Sequence, residues 1–459
     1  MENSSITTIN PIKSPVKSPI ENLINAVKTV VVFIIFIYIV VTMNKHFFHI
    51  YEDILKNTDE ILTNHTKYIY IYVPFVFWLA SKAKYFKYTD GYFELYISRM
   101  LKSVIDHKNY YSKTHFFHGA LSNIAIYIFS LLAVASGAGL GDEGVIIYSS
   151  ISLLLYFYFK TKDILGIHNV YTEVIIYLGY AIGFTIIFGS AITTLLFILE
   201  TMFHYKDANF FSNIGIMICA IPFIKFLVKE EENPIKVDKI TFEYNNIGYI
   251  SIFAILMGIL SFVILKNTHF LFTFIKNSKF NNLYVIGFGF LLAFMIKQIG
   301  FPSMSFGLSE INEGFQATIN KQKLKKLEED KNYSELNRLK QLEKEGKFDT
   351  TDRFSIYGIF GRIISVIISI SAGLTGGLVI PALTIGCGIG SSLSKYTNID
   401  QHKLMFLGMV ALVSSFLNAP ITSAVLINKI CNQPYDSIPL SLGVSFISYF
   451  TYRFLQSKF

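Results

Sequence analysis

The chain has 459 residues, of which 52% are hydrophobic and 16% are charged, and its mean hydropathy is +0.46. This composition excludes an ordinary soluble protein of the same length and predicts a polytopic membrane protein. No nucleic-acid-binding motif accompanies the net charge of +8, so we assign the charge to loop lysines beside anionic lipid. The three cysteines lie far apart in apolar runs, which predicts neither a disulfide framework nor a metal site, and we expect no cofactor.

The N-terminal segment does not resemble a cleavable signal peptide. Residues 1–25 are polar, and no small-residue cleavage site follows the first apolar run, Val30 to Met43. We therefore predict a cytoplasmic segment over residues 1–25, followed by a retained membrane helix with its N-terminus inside. The expected location is the cell (inner) membrane, which the chain would cross several times.

The remaining apolar segments predict an all-α bundle. Few of them reach the roughly 20 residues of a simple membrane span, and several begin with Gly, Ser or Pro. Such short segments favour tilted, broken and re-entrant helices. The predicted segments are 24–43, 68–81, 116–138, 145–159, 169–188, 190–203, 209–228, 246–265, 282–297, 355–372, 377–394, 404–417, 419–431 and 436–450.

Two polar stretches interrupt the apolar pattern. Residues 82–114 are basic, which predicts a cytoplasmic loop, and Asp90 is a candidate N-cap of a helix within it. Residues 318–353 alternate Lys and Glu, which predicts a solvated helix or helical hairpin without a catalytic role.

The most informative stretch is residues 136–145, which read SGAGLGDEGV between two apolar runs. Glycines allow the backbone to break a helix, and the free N–H groups of a helix N-terminus attract anions. An ionisable residue at membrane depth indicates a functional site. These points predict an anion site at a broken helix, with Glu143 as a mobile competitor for that site. The alternative is a loop at the membrane surface with Glu143 in water.

An internal repeat is indicated at about half the chain length. Without gaps, residues 179–197 align with 408–426, so that Gly179 meets Gly408 and Thr193 meets Thr422. The run 371–381, SAGLTGGLVIP, is a counterpart of the glycine-rich stretch at a similar offset. We therefore predict two transmembrane repeats, 26–228 and 229–459, the second with a charged insertion at about 318–353. Chance similarity between apolar segments is the alternative.

Four motifs in order resemble the CLC family of chloride channels and chloride/proton antiporters. Residues 141–145, GDEGV, are similar to the family's GREGP, and 376–381, GGLVIP, to its GGIFAP. The third motif, GMVA followed by NAPIT over 408–422, is similar to GMAA followed by RAPLT. The fourth, ending FILETM at 197–202, is similar to a run ending FIIEEM. The resemblance spans roughly residues 70–459.

The resemblance implies a homodimer with a separate anion pathway in each subunit, where helix N-termini converge near the membrane midplane. Glu143 resembles the external gating glutamate, which occupies the anion site when ionised and leaves it when protonated. The backbone amides of Gly144, Leu378 and Val379 resemble anion-coordinating donors. Backbone dipoles bind an anion without a full positive charge, so the ion can also leave.

Several family positions are changed. The family's SGIP motif is best matched by residues 90–93, where Asp90 would repel an anion if it pointed inward. The Arg before the gating glutamate is Asp142, and the Pro after Gly144 is Val145. Phe459 is nearest to the family's central tyrosine, with Tyr449 and Tyr452 as alternatives.

The inner proton position also differs. Where the family has paired glutamates, this chain has Glu200-Thr201. Thr201 thus stands at the position of the inner proton acceptor, and Glu200 is expected to be structural. A hydroxyl does not carry a proton at neutral pH as a carboxylate can. The charged stretch 318–353 would lie outside by family topology, although its Lys and Arg residues favour the inside.

These observations predict transport of chloride or a similar small anion, as an anion/proton antiporter gated by Glu143. A passive voltage- or pH-gated chloride channel and a fluoride or nitrate transporter stay open. Of other classes, we consider an intramembrane enzyme and a non-transporting homologue. An enzyme would need polar catalytic groups at membrane depth, whereas the histidines (His115, His118, His168, His204 and others) lie mostly at segment ends.

Overall fold

The structure, a computed structural model, is a bundle of α-helices. It describes residues 19–64, 66–85, 119–167, 170–205, 210–229, 235, 237, 240, 246–299, 308–330, 333–344, 354–397 and 399–459. The predicted basic loop 82–114 lies outside these residues from position 86 onwards, and so does its Asp90. The histidines His115, His118 and His168 also lie outside the described residues.

The first half of the chain contributes seven described helices. They are α1 (Pro19–Asn64), α2 (Ile69–Ala80), α3 (Gly119–Ala135), α4 (Glu143–Leu165), α5 (Thr172–Phe188), α6 (Ala191–Tyr205) and α7 (Phe210–Val228). The second half contributes α8 (Ile247–Asn277), α9 (Asn281–Ile299), α10 (Leu308–Glu329), α11 (Tyr333–Lys344), α12 (Ile356–Ser371), α13 (Val379–Ser394), α14 (Gln401–Leu417), α15 (Pro420–Ile430) and α16 (Ile438–Lys458). Short 3₁₀ turns occupy Thr66–Tyr68, Ser81–Tyr85 and Tyr435–Ser437.

The helices match most of the predicted apolar segments, but α1 and α8 are much longer than expected. The helices that contain the apolar runs 24–43 and 246–265 continue past the ends of those runs. The polar residues that follow end the apolar pattern, but they are compatible with a helical backbone. Five described helical stretches are long and apolar enough to cross a membrane: Leu23–Leu55, Glu143–Leu165, Phe211–Val228, Ile247–Asn277 and Asn281–Ile299. The shorter helices α5, α6, α12, α13 and α14 are packed among them, as short apolar segments predict.

The helix breaks recur in the two halves of the chain. Helices α3 and α12 end at Ala135 and Ser371, 236 positions apart, and α4 and α13 begin at Glu143 and Val379, again 236 apart. Each break contains a glycine in the left-handed region, Gly137 with φ 81° and Gly373 with φ 84°. The next break also recurs, because α5 and α14 both end on a left-handed residue, Gly189 and Asn418. The fold is thus a bundle of two related halves with broken helices.

Glycines set the closest helix contacts of both halves. A Cβ on Gly386 of α13 would lie 2.3 Å from the carbonyl oxygen of Gly408 on α14, and a Cβ on Gly408 would lie 2.1 Å from that of Gly386. In the first half, a Cβ on Gly179 of α5 would lie 2.5 Å from the Cα of Ile151 on α4. Small residues allow helix backbones to approach closely in membrane proteins. Gly179 and Gly408 are the two glycines that the sequence repeat aligns.

The charged stretch forms the helical pair α10 and α11. Lys340 binds Glu328 at 2.8 Å, and Lys323 lies 3.8 Å from Glu335, so ion pairs join the two helices. The pair is anchored to the bundle at its own N-terminal half, where the Phe315 ring stacks on His402 of α14 with centroids 5.8 Å apart. The charged side chains Lys321, Lys323, Lys325, Lys326, Glu328 and Glu329 in the second half of α10 are exposed, whereas Leu336 and Leu339 of α11 are buried.

Candidate functional site

Two glycines hold the paired helix breaks together. The amide of Gly141 donates to the carbonyl of Gly377 at 2.9 Å, and the amide of Gly377 donates back to the carbonyl of Gly141 at 2.5 Å. This isolated antiparallel bridge places the residues before α4 and α13 side by side. As a result, the N-termini of two helices from different halves of the chain meet inside the bundle. Their free amides and dipoles give this region a positive potential.

The carboxylate of Glu143 lies at this meeting point. Its side chain is 0% exposed, and Oε1 accepts a hydrogen bond of 2.7 Å from the amide of Ile380 in the first turn of α13. The other oxygen sits between the bridged glycines, because a Cβ on either Gly141 or Gly377 would lie 1.8 Å from Oε2. The absence of side chains on both glycines is therefore what leaves space for the carboxylate.

This geometry excludes the alternative that Glu143 is a solvated surface residue. The carboxylate is buried at the N-terminus of α13, although Glu143 itself begins α4. An anionic group at this place interacts favourably with the helix dipole and amides. The carboxyl group of Glu143 therefore occupies the N-terminus of a helix from the other half of the chain.

The predicted amide donors lie around the same point. Leu378 is the N-cap of α13 and Val379 is its first residue, and both are buried. The Gly144 amide nitrogen lies beside Gly377, since a Cβ on Gly377 would be 2.9 Å from it. The donor to Glu143, Ile380, was not among the predicted residues. A backbone donor leaves no signature in its side chain, so only the helix register could have indicated it.

Two further side chains support the break before α4 and were not predicted. Tyr51 of α1 is buried and donates from its hydroxyl to the carbonyl of Leu140 at 3.1 Å. The amide of Gly139 donates to Oγ of Ser365 on α12 at 2.9 Å. These contacts satisfy backbone groups that an interrupted helix leaves without partners of its own. One tyrosine and one serine among many carry no distinguishing sequence signal.

Glu200 lies at a different helix N-terminus. Its carboxylate accepts from the amides of Ile421 and Thr422 of α15, both at 2.8 Å, and from the Thr422 hydroxyl. These contacts join α6 to α15 across more than 200 residues of sequence, and the structural role of Glu200 stays a prediction. Thr201 is half-buried, and its hydroxyl donates to the Phe197 carbonyl of its own helix at 2.7 Å.

The candidates for the central tyrosine lie on or after α16. Phe459 is 79% exposed, and its ring packs 6.3 Å from that of Phe262, with the Lys266 ammonium 5.4 Å from its centroid. Tyr452 is buried, and Tyr449 packs against Phe450. The contacts of Phe459 are with α8, whereas the carboxylate of Glu143 contacts α13. The role of each aromatic residue stays a prediction, as does that of Asp90, which lies outside the described residues.

Helix N-termini that meet at a buried carboxylate, within a bundle of apolar broken helices, define an integral membrane protein of the anion-transport class. The sequence profile described as "Voltage gated chloride channel" matches residues 101–453, which is most of the chain. The chain therefore belongs to the voltage-gated chloride channel family, as the four sequence motifs indicated.

Solved structures of CLC proteins share the fold. A slow cyanobacterial Cl⁻/H⁺ antiporter matches with a TM-score of 0.67 at 15% identity, covering 93% of this chain and 95% of that one. A CLC-type fluoride/proton antiporter matches with a TM-score of 0.61 at 14% identity, covering 95% and 96%. A eukaryotic CLC transporter matches with a TM-score of 0.60 at 13% identity, covering 93% and 72%. No protein with a curated description matches the chain by sequence.

Proposed function

We propose that the protein exchanges chloride or a similar small anion for protons across a membrane, with Glu143 as the gate. The observation that carries this proposal is the buried carboxylate of Glu143, bound by the Ile380 amide at the N-terminus of α13. A carboxylate in this position competes with an external anion for the same amides. Protonation removes its charge and weakens its hold on the helix N-terminus, so the anion can replace it.

The same group can carry the proton. A single carboxylate that alternates between an ionised, amide-bound state and a protonated, released state links anion occupancy to proton binding. The amides of Gly144, Leu378 and Val379 would then coordinate the transported anion after Glu143 leaves. Because these donors are backbone groups, the site holds the anion without a fixed positive charge, which favours release.

A passive channel is the second candidate, and Thr201 is the observation that favours it. Its hydroxyl donates to the Phe197 carbonyl, and a hydroxyl does not accept a proton at neutral pH as a carboxylate can. The position therefore lacks the inner proton acceptor that a family antiporter with paired glutamates has. Two of the related structures are of proton-coupled antiporters, one for chloride and one for fluoride, which supports antiport and leaves the anion open. A homodimer in the cell membrane, with protons and one small anion as ligands, completes the proposal.

The test is anion efflux from proteoliposomes with proton movement recorded in parallel, using chloride, fluoride and nitrate in turn. The variants are Glu143→Gln, which keeps the shape and removes the charge, and Glu143→Ala, with Glu173→Gln on α5 as the matched control. We expect opposed anion and proton fluxes in the wild type and in Glu173→Gln. Both Glu143 variants should lose proton flux and retain anion flux.

Other outcomes decide between the alternatives. Anion flux without proton flux in the wild type would establish a channel and give weight to Thr201. Absence of flux for all three anions would overturn the transport proposal and favour a non-transporting homologue. Loss of anion flux together with proton flux in Glu143→Gln would show that Glu143 is required for conduction and does not gate it.

A further inference from the structure

A second buried carboxylate lies directly before the gate. Asp142 is the N-cap residue of α4, and its side chain is 2% exposed. An aspartate at an N-cap commonly accepts a hydrogen bond from the first turn of its helix. Asp142 makes no such bond, so its carboxylate does not serve α4. Among the described residues, its Oδ2 is fully buried and has no hydrogen-bond partner.

A buried carboxylate with one oxygen unpaired is costly when ionised, because nothing replaces the water that this oxygen has lost. A protonated carboxyl carries no charge, so its burial costs much less free energy. The family motif places an arginine at this position, and an arginine would be charged under all conditions. The replacement of that arginine by Asp142 therefore converts a fixed charge into a group that can gain and lose a proton.

A third carboxylate extends this series to the surface. Tyr51 of α1 touches the Leu140 carbonyl, two residues before Asp142, and the next residue on α1, Glu52, is exposed. Glu52 lies three residues from the end of the apolar span Leu23–Leu55. The three carboxylates thus differ in burial. Glu52 is exposed near the end of an apolar span, whereas Asp142 and Glu143 are buried at the break.

We propose that Asp142, supplied by Glu52, is a proton relay between the aqueous phase and Glu143. The protonated Asp142 carboxyl passes its proton towards the carboxylate of Glu143, and the resulting Asp142 carboxylate takes a proton from the side of Glu52. Each transfer moves one proton from an oxygen to an oxygen and consumes no other reactant. The inference deepens the proposed exchange of anions for protons and rests on it.

The surroundings of Asp142 allow this role. The hydrogen bonds that join the break to neighbouring helices are made with Tyr51 of α1 and Ser365 of α12, and neither of these bonds involves the carboxylate of Asp142. The titratable side chains within two residues of Tyr51 on α1 are His49, Glu52 and Asp53. On the other helices around the break they are Tyr127 of α3, Glu143 and Tyr148 in the first two turns of α4, and Tyr357 and Arg362 of α12. The loop 374–378, which faces Asp142 across the glycine bridge, contributes no titratable side chain.

The test compares Asp142→Asn and Glu52→Gln with Asp53→Asn in the parallel flux assay. Asp53 is an exposed neighbour of Glu52 and controls for the loss of one surface charge. We expect Asp142→Asn to lower the ratio of proton flux to anion flux by about tenfold or more, as loss of a proton-transfer group does. Glu52→Gln should lower the ratio less, since water can replace an exposed donor, and Asp53→Asn should keep the wild-type ratio.

A spectroscopic measurement reads the proton on Asp142 without transport. Infrared difference spectra between acid and alkaline pH should show a protonated-carboxyl band that is absent in Asp142→Asn and present in Asp53→Asn. An unchanged flux ratio in Asp142→Asn, beside normal proton flux in the wild type, overturns the relay and leaves the exchange proposal intact. Absence of proton flux in the wild type overturns both. A variant that elutes as an aggregate is replaced by Asp142→Ser, for which the same results are expected.

Discussion

Gly141 and Gly377 bind each other through both of their backbone amides, and the carboxylate of Glu143 lies against both residues. These glycines are 236 positions apart and occupy equivalent places before α4 and α13. Their pairing uses backbone groups that broken helices leave unsatisfied, so the break is stable inside the bundle. The same pairing leaves space for the carboxylate of Glu143, because neither glycine has a side chain to fill it.

Gly141→Ala should displace the carboxylate of Glu143 from its place. A Cβ on Gly141 would lie 1.8 Å from Oε2, and the end of a glutamate side chain can move away at low cost. If Glu143 is the gate, wild-type anion flux rises as the pH falls, because protonation releases the carboxylate. Gly141→Ala should raise flux at neutral pH and flatten this rise, as measured by efflux at several pH values.

Gly377→Ala should give the same flattened pH profile with an additional loss of stability. Its Cβ would also lie 2.9 Å from the Gly144 amide nitrogen, a backbone atom that cannot move independently. Gly215→Ala on α7 is the control for both, because a Cβ there meets nothing within 4 Å. A wild-type pH profile in both bridge variants would contradict a gate at this position.

Glu200→Ala should destabilise the protein without changing how its flux depends on pH. The lost carboxylate accepts from two α15 amides and one hydroxyl, and hydrogen bonds to a charged group contribute about 1.5–3 kcal/mol. Thr201→Ala is the matched control on the next residue, and a change of at most about 0.5 kcal/mol is expected because only a bond within α6 is lost. Denaturant unfolding in detergent measures the stability of both variants. Equal unfolding midpoints for Glu200→Ala and Thr201→Ala would show that Glu200 does not stabilise the N-terminus of α15.

Local sequence features predicted the helices and singled out Glu143, but they did not predict how the two helix breaks pair. Glu143 stood out because an acidic residue in a glycine-rich turn between apolar runs is unusual. The predicted apolar segment 355–372 lies within one residue of the observed helix α12, 356–371. The contact of Glu200 with α15 and the bridge between the two breaks join residues more than 200 positions apart. No local pattern encodes such distances, and only the repeat suggested that the halves were related.

The site residues missed by the sequence are those that act through backbone or through a common side chain. The Ile380 amide binds Glu143 because α13 begins one residue before it, a detail of helix register. Tyr51 contributes because α1 continues past its predicted end at residue 43, which places the tyrosine beside Leu140. Hydropathy marks where a helix meets apolar surroundings and not where the helix stops.

Gly386→Ala and Gly408→Ala should each prevent the close contact of α13 and α14. The added Cβ would lie 2.3 Å or less from a backbone carbonyl oxygen, so the helices must separate, at a cost of about 1–3 kcal/mol or more. Gly443→Ala on α16 is the control, because its Cβ meets nothing within 4 Å and alanine favours the helix. Thermal unfolding in detergent should give lower melting temperatures for Gly386→Ala and Gly408→Ala than for Gly443→Ala. Similar melting temperatures for all three would show that the contact between α13 and α14 is looser than described.

Phe459→Ala should leave anion selectivity and the pH profile unchanged. The ring is 79% exposed and contacts Phe262 and Lys266, so its removal costs surface packing and a cation–π contact of at most about 1 kcal/mol. Tyr452→Ala is the informative comparison, because this tyrosine is buried on α16 and its loss leaves a cavity. The measurement is efflux with chloride, fluoride and nitrate for both variants. Altered selectivity in Phe459→Ala would show that the ring reaches the anion path and takes the place of the family's central tyrosine. If selectivity changes only in Tyr452→Ala, that place belongs to Tyr452.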